Sequence, residues 1–313
     1  MTKKNVVVIG GGTGLSVLLR GLKTFPVDIS AIVTVADDGG SSGRLRKELN
    51  IPPPGDVRNV LVALSEVEPL VEELFQHRFE NGNGLSGHSL GNLLLAGMTS
   101  ITGDFSRGIT ELSKVLNVRG NVYPAANRSI VLNAEMEDGS IVSGESVIPL
   151  EQKRIKRVFL TPEDVSPLQS SIRAIEEADI IVLGPGSLYT SVIPNLLVPG
   201  VVEAIRRANA RKVYICNVMT QGGETDGYTA ADHIQAILDH CDTPLVDEII
   251  VNGAPISSHL LQRYAGEGAV PVVVDVNRIN ALGVSIILDH FVIERKNMLR
   301  HDALKVSQAI LRM

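Results

Sequence analysis

Residues 6–22 have the sequence VVVIGGGTGLSVLLRGL: a β-branched run, a glycine-rich turn and an amphipathic segment. The run Val6–Ile9 predicts a buried strand. The segment after the turn predicts a helix with one apolar face, because leucines recur at i, i+3, i+4 and i+7, as Leu15, Leu18, Leu19 and Leu22. A strand that leads through glycines into a helix is typical of folds that bind phosphate at the helix N-terminus. This stretch therefore predicts an α/β fold and an anion site.

The turn consists of five residues, Gly10, Gly11, Gly12, Thr13 and Gly14. We expect them to bind phosphate, because glycine lets backbone amides approach an anion without a Cβ in the way. Tight packing of the strand against the helix is the alternative explanation of the glycines. Leu15 stands where the third glycine of GxGxxG would fall, and no Gly-Lys-Ser/Thr follows, so the turn does not specify the nucleotide.

Further apolar, β-branched runs alternate with amphipathic segments and predict a doubly wound, mainly parallel sheet of the Rossmann-like α/β class. Together with the first run they comprise 6–9, 29–35, 180–183, 213–216, 248–251 and 270–274. Helical patterns at 57–64, 69–77, 90–100 and 106–116 predict a helical insertion at about 57–117. A period-two pattern predicts an antiparallel hairpin region at about 121–160. We treat residues 1–313 as one domain.

The second strand is followed by ADDGGSSGRLR at residues 36–46. Asp37 lies about twenty residues past the glycine turn, where an acidic residue binds the ribose in nucleotide-binding folds. Asp37 and Asp38 together are also suited to Mg²⁺, which would make them the catalytic candidates. Ser41, Ser42 and Arg44 are further candidate ligand contacts. A solvated loop is the alternative interpretation.

Two polar motifs in the predicted helical insertion carry more candidates: PPGDVRN at 53–59 and GHSLGN at 87–92. Asp56 and Ser89 are predicted helix N-caps, because each stands where a helical pattern begins. Asp56, Asn59, His88 and Asn92 are candidate ligand contacts. His88 is also a possible acid–base group, although a histidine in a glycine turn is more often structural.

Two later strands also end in polar, glycine-containing segments, LGPGSLYTS at 183–191 and NVMTQGGETDGY at 217–228. The carboxyl ends of parallel strands meet at one edge of a sheet, so we expect these segments to lie beside the first turn. The candidates they contribute are Gly184, Gly186, Ser187, Tyr189, Thr190, Asn217, Thr220 and Gln221. Near the end of the chain, Tyr264 offers a flat ring and Arg300 a phosphate-binding fork.

The composition excludes several classes of protein. A formal net charge of −6 provides no basic field for binding nucleic acid. The two cysteines, Cys216 and Cys241, have no metal-ligand spacing and indicate a reducing compartment. No run is long and uninterrupted enough to insert in a membrane, and the apolar part of the first strand is too short for a signal peptide. We therefore expect a cytoplasmic protein.

The six motifs together resemble the YvcK-like gluconeogenesis factors, which are relatives of the CofD 2-phospho-L-lactate transferases. The resemblance runs from Val6 to about Arg300 and implies a Rossmann-like core that binds a nucleotide. For the YvcK-like branch it implies a UDP-sugar such as UDP-N-acetylglucosamine, and a regulatory role in cell shape and wall synthesis during gluconeogenic growth. Tyr264 and Arg300 resemble ligand-contacting positions of that branch.

Three functions follow as hypotheses. The first is a nucleotide-sugar-binding regulatory protein without turnover. The second is a CofD-like transferase, in which Asp37 and Asp38 hold Mg²⁺ while a phosphate-linked group leaves a nucleotide diphosphate carrier. The third is an NAD-binding oxidoreductase, and NAD is also a possible occupant of the same nucleotide site. A homo-oligomer and a regulatory protein partner are compatible with each.

Overall fold

The computed structural model describes residues 3–295 and 297–312. It contains twelve strands: β1 Lys4–Gly10, β2 Val27–Val33, β3 Asn121–Pro124, β4 Val131–Met136, β5 Ile141–Ser143, β6 Ile155–Thr161, β7 Ile180–Leu183, β8 Arg211–Ile215, β9 Glu248–Asn252, β10 Ser285–Asp289, β11 Val292–Arg295 and β12 Met298–His301.

The described α-helices are α1 Gly12–Leu22, α2 Gly40–Leu49, α3 Gly55–Leu64, α4 Pro69–Gln76, α5 Leu90–Thr102, α6 Phe105–Val115, α7 Gln169–Glu176, α8 Ile193–Leu196, α9 Val201–Arg207, α10 Ala230–Cys241, α11 Ser258–Gly266, α12 Val276–Ala281 and α13 Ala303–Leu311. A 3₁₀ turn covers Ile148–Glu151, and a π-helical turn covers Leu188–Val192.

Seven strands form the main sheet in the order β10-β9-β8-β7-β1-β2-β3, and all of its pairs are parallel. The chain leaves β1 toward β2 and β3, then returns to the other side of β1 at β7 and continues outward to β10. The strand order therefore reverses between β1 and β7. This confirms the predicted Rossmann-like α/β class, in which ligands bind at the reversal point.

The first strand, the turn and α1 have the predicted structure. Val6–Ile9 is buried at the centre of the sheet, and the four leucines of α1 are buried as its apolar face. Gly12 has φ +67°, a backbone conformation that L-residues other than glycine rarely adopt. The glycine there allows the chain to turn from β1 directly into α1.

The helical insertion and the antiparallel region are both present. α3, α4, α5 and α6 lie between β2 and β3 in the chain and match the four predicted helical segments. β5, β4 and β6 form a separate three-stranded antiparallel sheet. This sheet begins at Val131, whereas β3, within the region predicted to be antiparallel, pairs in parallel with β2.

One predicted strand is wrong. Residues 270–274 are extended but make only isolated bridges, from Pro271 to Met219 and from Val273 to Thr229. Pro271 has no amide N–H to donate to a ladder, and Val270 and Val273 are exposed. The sheet is completed instead by β10, a half-exposed edge strand whose apolar run is too short to stand out in the sequence.

Within the described residues, no single helix is long and apolar enough to cross a membrane. The segments Leu188–Leu196 and Val201–Arg207 are bent by 74° relative to each other. Only when they are counted together do they reach the length and apolar composition of a membrane span.

Replacing Gly21 by alanine should lower the free energy of unfolding by about 1–3 kcal/mol. α13 packs directly on α1, and a Cβ on Gly21 would overlap the carbonyl oxygen of Ala303. Thermal and urea unfolding measure the change. Gly97→Ala is the matched control, because Gly97 is inside α5 with no atom within 4 Å of a Cβ, and it should stabilise by about 0.5–1 kcal/mol. Equal stabilities for the two variants would contradict the close α1–α13 contact.

Candidate functional site

A cleft of about 600 Å³ opens at the point where the strand order reverses. Its walls come from the segments after β1, β7 and β8 and from a C-terminal part that contains α11 and β12. Ten of the residues predicted from the sequence line it: Gly12, Thr13, Gly14, Gly186, Ser187, Asn217, Thr220, Gln221, Tyr264 and Arg300. The predicted strand-end segments therefore meet in one cavity.

The glycine turn packs tightly and also presents amides to the cleft. A Cβ on Gly11 would overlap Thr34 and lie 2.8 Å from Asp56 Oδ2, and one on Gly14 would lie 3.0 Å from the Pro185 carbonyl oxygen. The glycines are therefore explained both by tight packing of the strand against the helix and by the exposure of backbone amides to an anion. The first-turn amides of Thr13 and Gly14 have no intrahelical acceptor, because an α-helix leaves its first amides free. They are the candidate phosphate donors.

Asp56 is not the helix N-cap that its motif predicts. α3 begins at Gly55 with Pro54 before it, so Asp56 lies inside the first turn. Its carboxylate reaches back and accepts a hydrogen bond from the Gly12 amide at 2.8 Å. Burial is the largest effect and raises the pKa of Asp56. The Gly12 hydrogen bond comes next and lowers this pKa, and the charge of Asp37 raises it, so that the pKa of Asp56 is about 6. Asp56 thus fixes the glycine turn to α3. The second predicted N-cap, Ser89, is confirmed by its bond from the Asn92 amide.

The segment after β7 forms the second wall. Gly184 has φ +84°, and the π-helical turn follows directly, a geometry often found at functional sites. Ser187 Oγ accepts a hydrogen bond from Gln221 Nε2 at 2.8 Å, and Gln221 Oε1 accepts one from Asn217 Nδ2 at 2.7 Å. These three side chains form a continuous polar surface in the cleft.

Two predicted residues of this segment do not line the cleft. The Tyr189 hydroxyl lies 2.6 Å from that of Tyr228, and Thr190 Oγ1 donates to Glu224 at 3.2 Å. Both Tyr189 and Thr190 are buried. They connect the segments after β7 and β8 behind the cleft. Gly10, Gly11 and Gly184 likewise lie in the packed strand ends rather than on its surface.

Tyr264 and Arg300 approach from the C-terminal part. The Tyr264 hydroxyl accepts a hydrogen bond from the Leu299 amide at 3.1 Å, which fixes the ring beside β12. The Arg300 guanidinium has only distant contacts, 3.4 Å to the Leu299 carbonyl and 3.5 Å to Met298 Sδ, and makes no ion pair within residues 3–295 and 297–312. A guanidinium without a carboxylate partner is suited to phosphate.

His301 also lines the cleft, although the sequence analysis did not select it. Its Nε2 lies 3.2 Å from the Cys216 carbonyl, and burial lowers the pKa of His301 to about 4. The imidazole is therefore neutral at physiological pH, with Nε2 as the donor. The sequence feature that could have identified His301 is its position directly after Arg300, a residue predicted to contact the ligand.

A second polar cluster lies outside the cleft, where α2, α3 and α5 begin. Its predicted members are Asp37, Asp38, Ser41, Ser42, Arg44, Asn59, His88 and Asn92. Ser41 Oγ lies 3.0 Å from His88 Nδ1 and accepts from Asn92 Nδ2 at 3.1 Å. His88 is buried, and burial lowers its pKa, so it is neutral at pH 7. These contacts connect α2 to the start of α5.

Asp37 and Asp38 each bind a backbone amide. Asp37 Oδ1 accepts from Gly39 at 2.9 Å, and Asp38 Oδ1 accepts from Ser146 at 2.9 Å. Throughout the described ranges, no three His, Cys, Asp or Glu side chains come together as a metal-binding group. The protein side chains therefore do not form a Mg²⁺ site by themselves, and Mg²⁺ would need ligand phosphates to complete its coordination.

Glu145 is a cleft residue that the sequence analysis missed. It lies in the turn that leads out of the antiparallel sheet, and the bond from Ser146 to Asp38 holds this turn at the cleft. Burial, with the charges of Asp37 and Asp56 next, raises the pKa of Glu145 to about 8. Glu224 is also buried, burial raises its pKa to about 7, and its Oε2 has no hydrogen-bond partner in the described part of the chain.

Glu145→Gln should stabilise the protein more at high pH than at low pH. The folded state keeps the Glu145 proton up to about pH 8, whereas the unfolded chain loses it near its ordinary value of 4.5. The free energy of unfolding therefore falls through this interval as pH rises, and an uncharged glutamine removes the loss. In metal-free buffer, the Tm difference between variant and wild type should grow from pH 5 to pH 8.

Glu80→Gln is the control, because Glu80 is exposed, and its Tm difference from the wild type should not grow from pH 5 to pH 8. A Tm difference for Glu145→Gln that stayed constant over the interval would contradict the raised pKa.

The fold and the cleft define a Rossmann-like α/β protein with its candidate site at the reversal of strand order. Residues 6–292 match the 2-phospho-L-lactate transferase CofD family, and the chain belongs to this family. It is 74% identical over 311 residues to the "Gluconeogenesis factor" of Halalkalibacterium halodurans, covering 99% of this chain and 97% of that protein. It is 61% identical over 309 residues to the "Gluconeogenesis factor" of Bacillus subtilis strain 168, covering 99% and 98%.

A crystal structure of a protein from Bacillus halodurans has the same fold. It superposes with a TM-score of 0.98 at 74% sequence identity, over 99% of this chain and 100% of the other. The names of the two sequence relatives agree with the gluconeogenesis-factor resemblance given by the motifs.

Proposed function

We propose that this protein is a cytoplasmic regulatory protein that binds a nucleotide sugar of the UDP-N-acetylglucosamine class in the cleft. One observation carries the proposal: the first-turn amides of Thr13 and Gly14 and the unpaired guanidinium of Arg300 line the same cavity. Two sets of donors in one cavity are suited to a diphosphate, because amides and a guanidinium fork both bind phosphate oxygens.

The remaining cleft residues suit the other parts of such a ligand. Tyr264 offers an aromatic face for a base or a sugar ring. Asn217, Gln221 and Ser187 present a polar surface that can pair with the edge of a base or with sugar hydroxyls. The cleft volume of about 600 Å³ is within the range of small-molecule sites.

The names of the relatives support a role in gluconeogenic growth, because two highly identical proteins are called gluconeogenesis factors. With the YvcK-like resemblance, this favours regulation of cell shape and wall synthesis on gluconeogenic carbon sources. The three carboxylates have structural roles in this account: Asp37 and Asp38 accept backbone amides, and Asp56 accepts the Gly12 amide of the glycine turn.

The family description favours a second candidate, a transferase that moves a phosphate-linked group from a nucleotide diphosphate carrier. In that case Asp37, Asp38 and the bound phosphates would hold Mg²⁺ together. NAD is a further possible occupant of the nucleotide site, and an oxidoreductase would require turnover of its nicotinamide.

Isothermal titration with UDP-N-acetylglucosamine, UDP-glucose, GDP and NAD, with and without Mg²⁺, tests the proposal. We expect saturable binding of the UDP-sugars without Mg²⁺, and an unchanged ligand by ³¹P NMR after prolonged incubation. Mg²⁺-dependent product that disappears in Asp38→Asn would favour the transferase. Absence of binding to both UDP-sugars would overturn the proposal.

A further inference from the structure

Three arginines surround the start of α5, outside the cleft. Arg44 on α2 donates to the Ser86 carbonyl at 2.6 Å, and Arg78 donates to the Gly87 carbonyl at 2.5 Å. Arg58 on α3 lies against the first turn of α5, since its Cδ would be 2.7 Å from a Cβ on Gly91. None of the three lines the nucleotide cleft.

The charges of these arginines are not neutralised by ion pairs. Neither Arg44, Arg58 nor Arg78 forms an ion pair with any residue in the described part of the chain, unlike Arg157 or Arg278, which each bind a carboxylate. Arg58 and Arg78 also affect one another: after burial, the charge of Arg78 lowers the pKa of Arg58, while the charges of Asp56 and Asp37 raise it by smaller amounts. Unpaired like charges held together indicate a surface that attracts an anion.

Arg58 supplies an unused donor. It is only 7% exposed, its Nη2 donates to Asn59 Oδ1 at 2.6 Å, and its buried Nε has no partner. A buried charged donor without an acceptor is costly, so nearly all such groups are paired in native proteins. α2, which carries Arg44, also begins without a side-chain cap, and its first-turn amides add the same polarity.

We propose that Arg44, Arg58 and Arg78 bind the phosphate group of a small metabolite at a site separate from the nucleotide cleft. Planar guanidinium forks match phosphate oxygens, and the exposed positions of Arg44 and Arg78 leave the site open to solvent. Arg58 provides the buried end of the site and the two exposed arginines provide its rim. This site is independent of the proposed nucleotide-sugar function, and neither depends on the other.

Titration with inorganic phosphate, followed by ¹H–¹⁵N NMR of arginine side chains at constant ionic strength, tests the site. We expect saturable shifts in the wild type and a dissociation constant raised about tenfold or more in Arg78→Gln. Arg44→Lys keeps the charge but loses the fork and should also weaken binding. Arg107→Gln is the control and should bind like the wild type, because this exposed arginine follows the C-terminal end of α5, whereas the three arginines surround its start.

The same samples are titrated with UDP-N-acetylglucosamine, so failure of one site can be separated from failure of the other. Phosphate binding lost in Arg300→Gln but kept in Arg78→Gln would place the anion in the cleft and overturn the proposal. The proposal would also be overturned by chemical shifts that do not saturate, or by equal phosphate affinities of the wild type, Arg78→Gln and Arg44→Lys.

Discussion

Arg300→Gln should weaken binding of UDP-N-acetylglucosamine by about 100-fold, or roughly 3 kcal/mol. Among the described residues the Arg300 guanidinium has only two distant contacts, and no carboxylate there competes with a phosphate for it. Glutamine retains polarity but loses both the charge and the fork. Because Arg300 is not part of an ion pair, the variant should fold normally, and its Tm should stay near that of the wild type. Isothermal titration measures the affinity.

Arg295→Gln is the control for this change. Arg295 is exposed on β11, the strand that pairs with the strand carrying Arg300, and it does not line the cleft. Its substitution should leave the affinity within about twofold, as expected for an exposed charge. Equal affinities for the Arg300 and Arg295 variants would show that the guanidinium of Arg300 does not contact the ligand.

Gly223→Ala should lower the free energy of unfolding by about 3 kcal/mol. Gly223 has φ +77°, and a Cβ there would overlap the backbone carbonyl of Pro149 in the 3₁₀ turn. Both the left-handed conformation and the clash oppose a side chain. Because this contact joins the segment after β8 to the 3₁₀ turn that directly follows the turn carrying Glu145, we also expect weaker nucleotide binding.

Gly227→Ala separates the two effects. Gly227 has φ +71° with nothing within 4 Å of a Cβ, so alanine there should cost only about 1 kcal/mol. Urea unfolding of both variants gives the comparison. A loss at Gly223 no greater than that at Gly227 would mean that the Pro149 contact adds nothing.

The part of the site that depends on local sequence was predictable. A strand, a glycine turn and a helix with a leucine face follow one another directly, so Gly12, Thr13 and Gly14 could be assigned to the cleft. The segments after β7 and β8 were found in the same way, because parallel strands end at a common edge. Eight of the ten predicted cleft residues, all except Tyr264 and Arg300, meet there for this reason.

The part that depends on tertiary structure was not predictable. Glu145 reaches the cleft from a separate antiparallel sheet through the bond between Asp38 and Ser146, and no local pattern encodes a contact over that separation. Asp56 has the residue type and position of an N-cap, but the Gly12 amide is the donor it binds. Residues 270–274 have the composition of a strand, but Pro271 and exposure exclude them from the sheet.

A crystal structure with UDP-N-acetylglucosamine is the most direct test of phosphate binding by the glycine turn. We expect diphosphate oxygens within about 2.7–3.2 Å of the Thr13 and Gly14 amides, and a contact from the Arg300 guanidinium. A well-ordered ligand whose phosphates lie away from both groups would contradict the central claim.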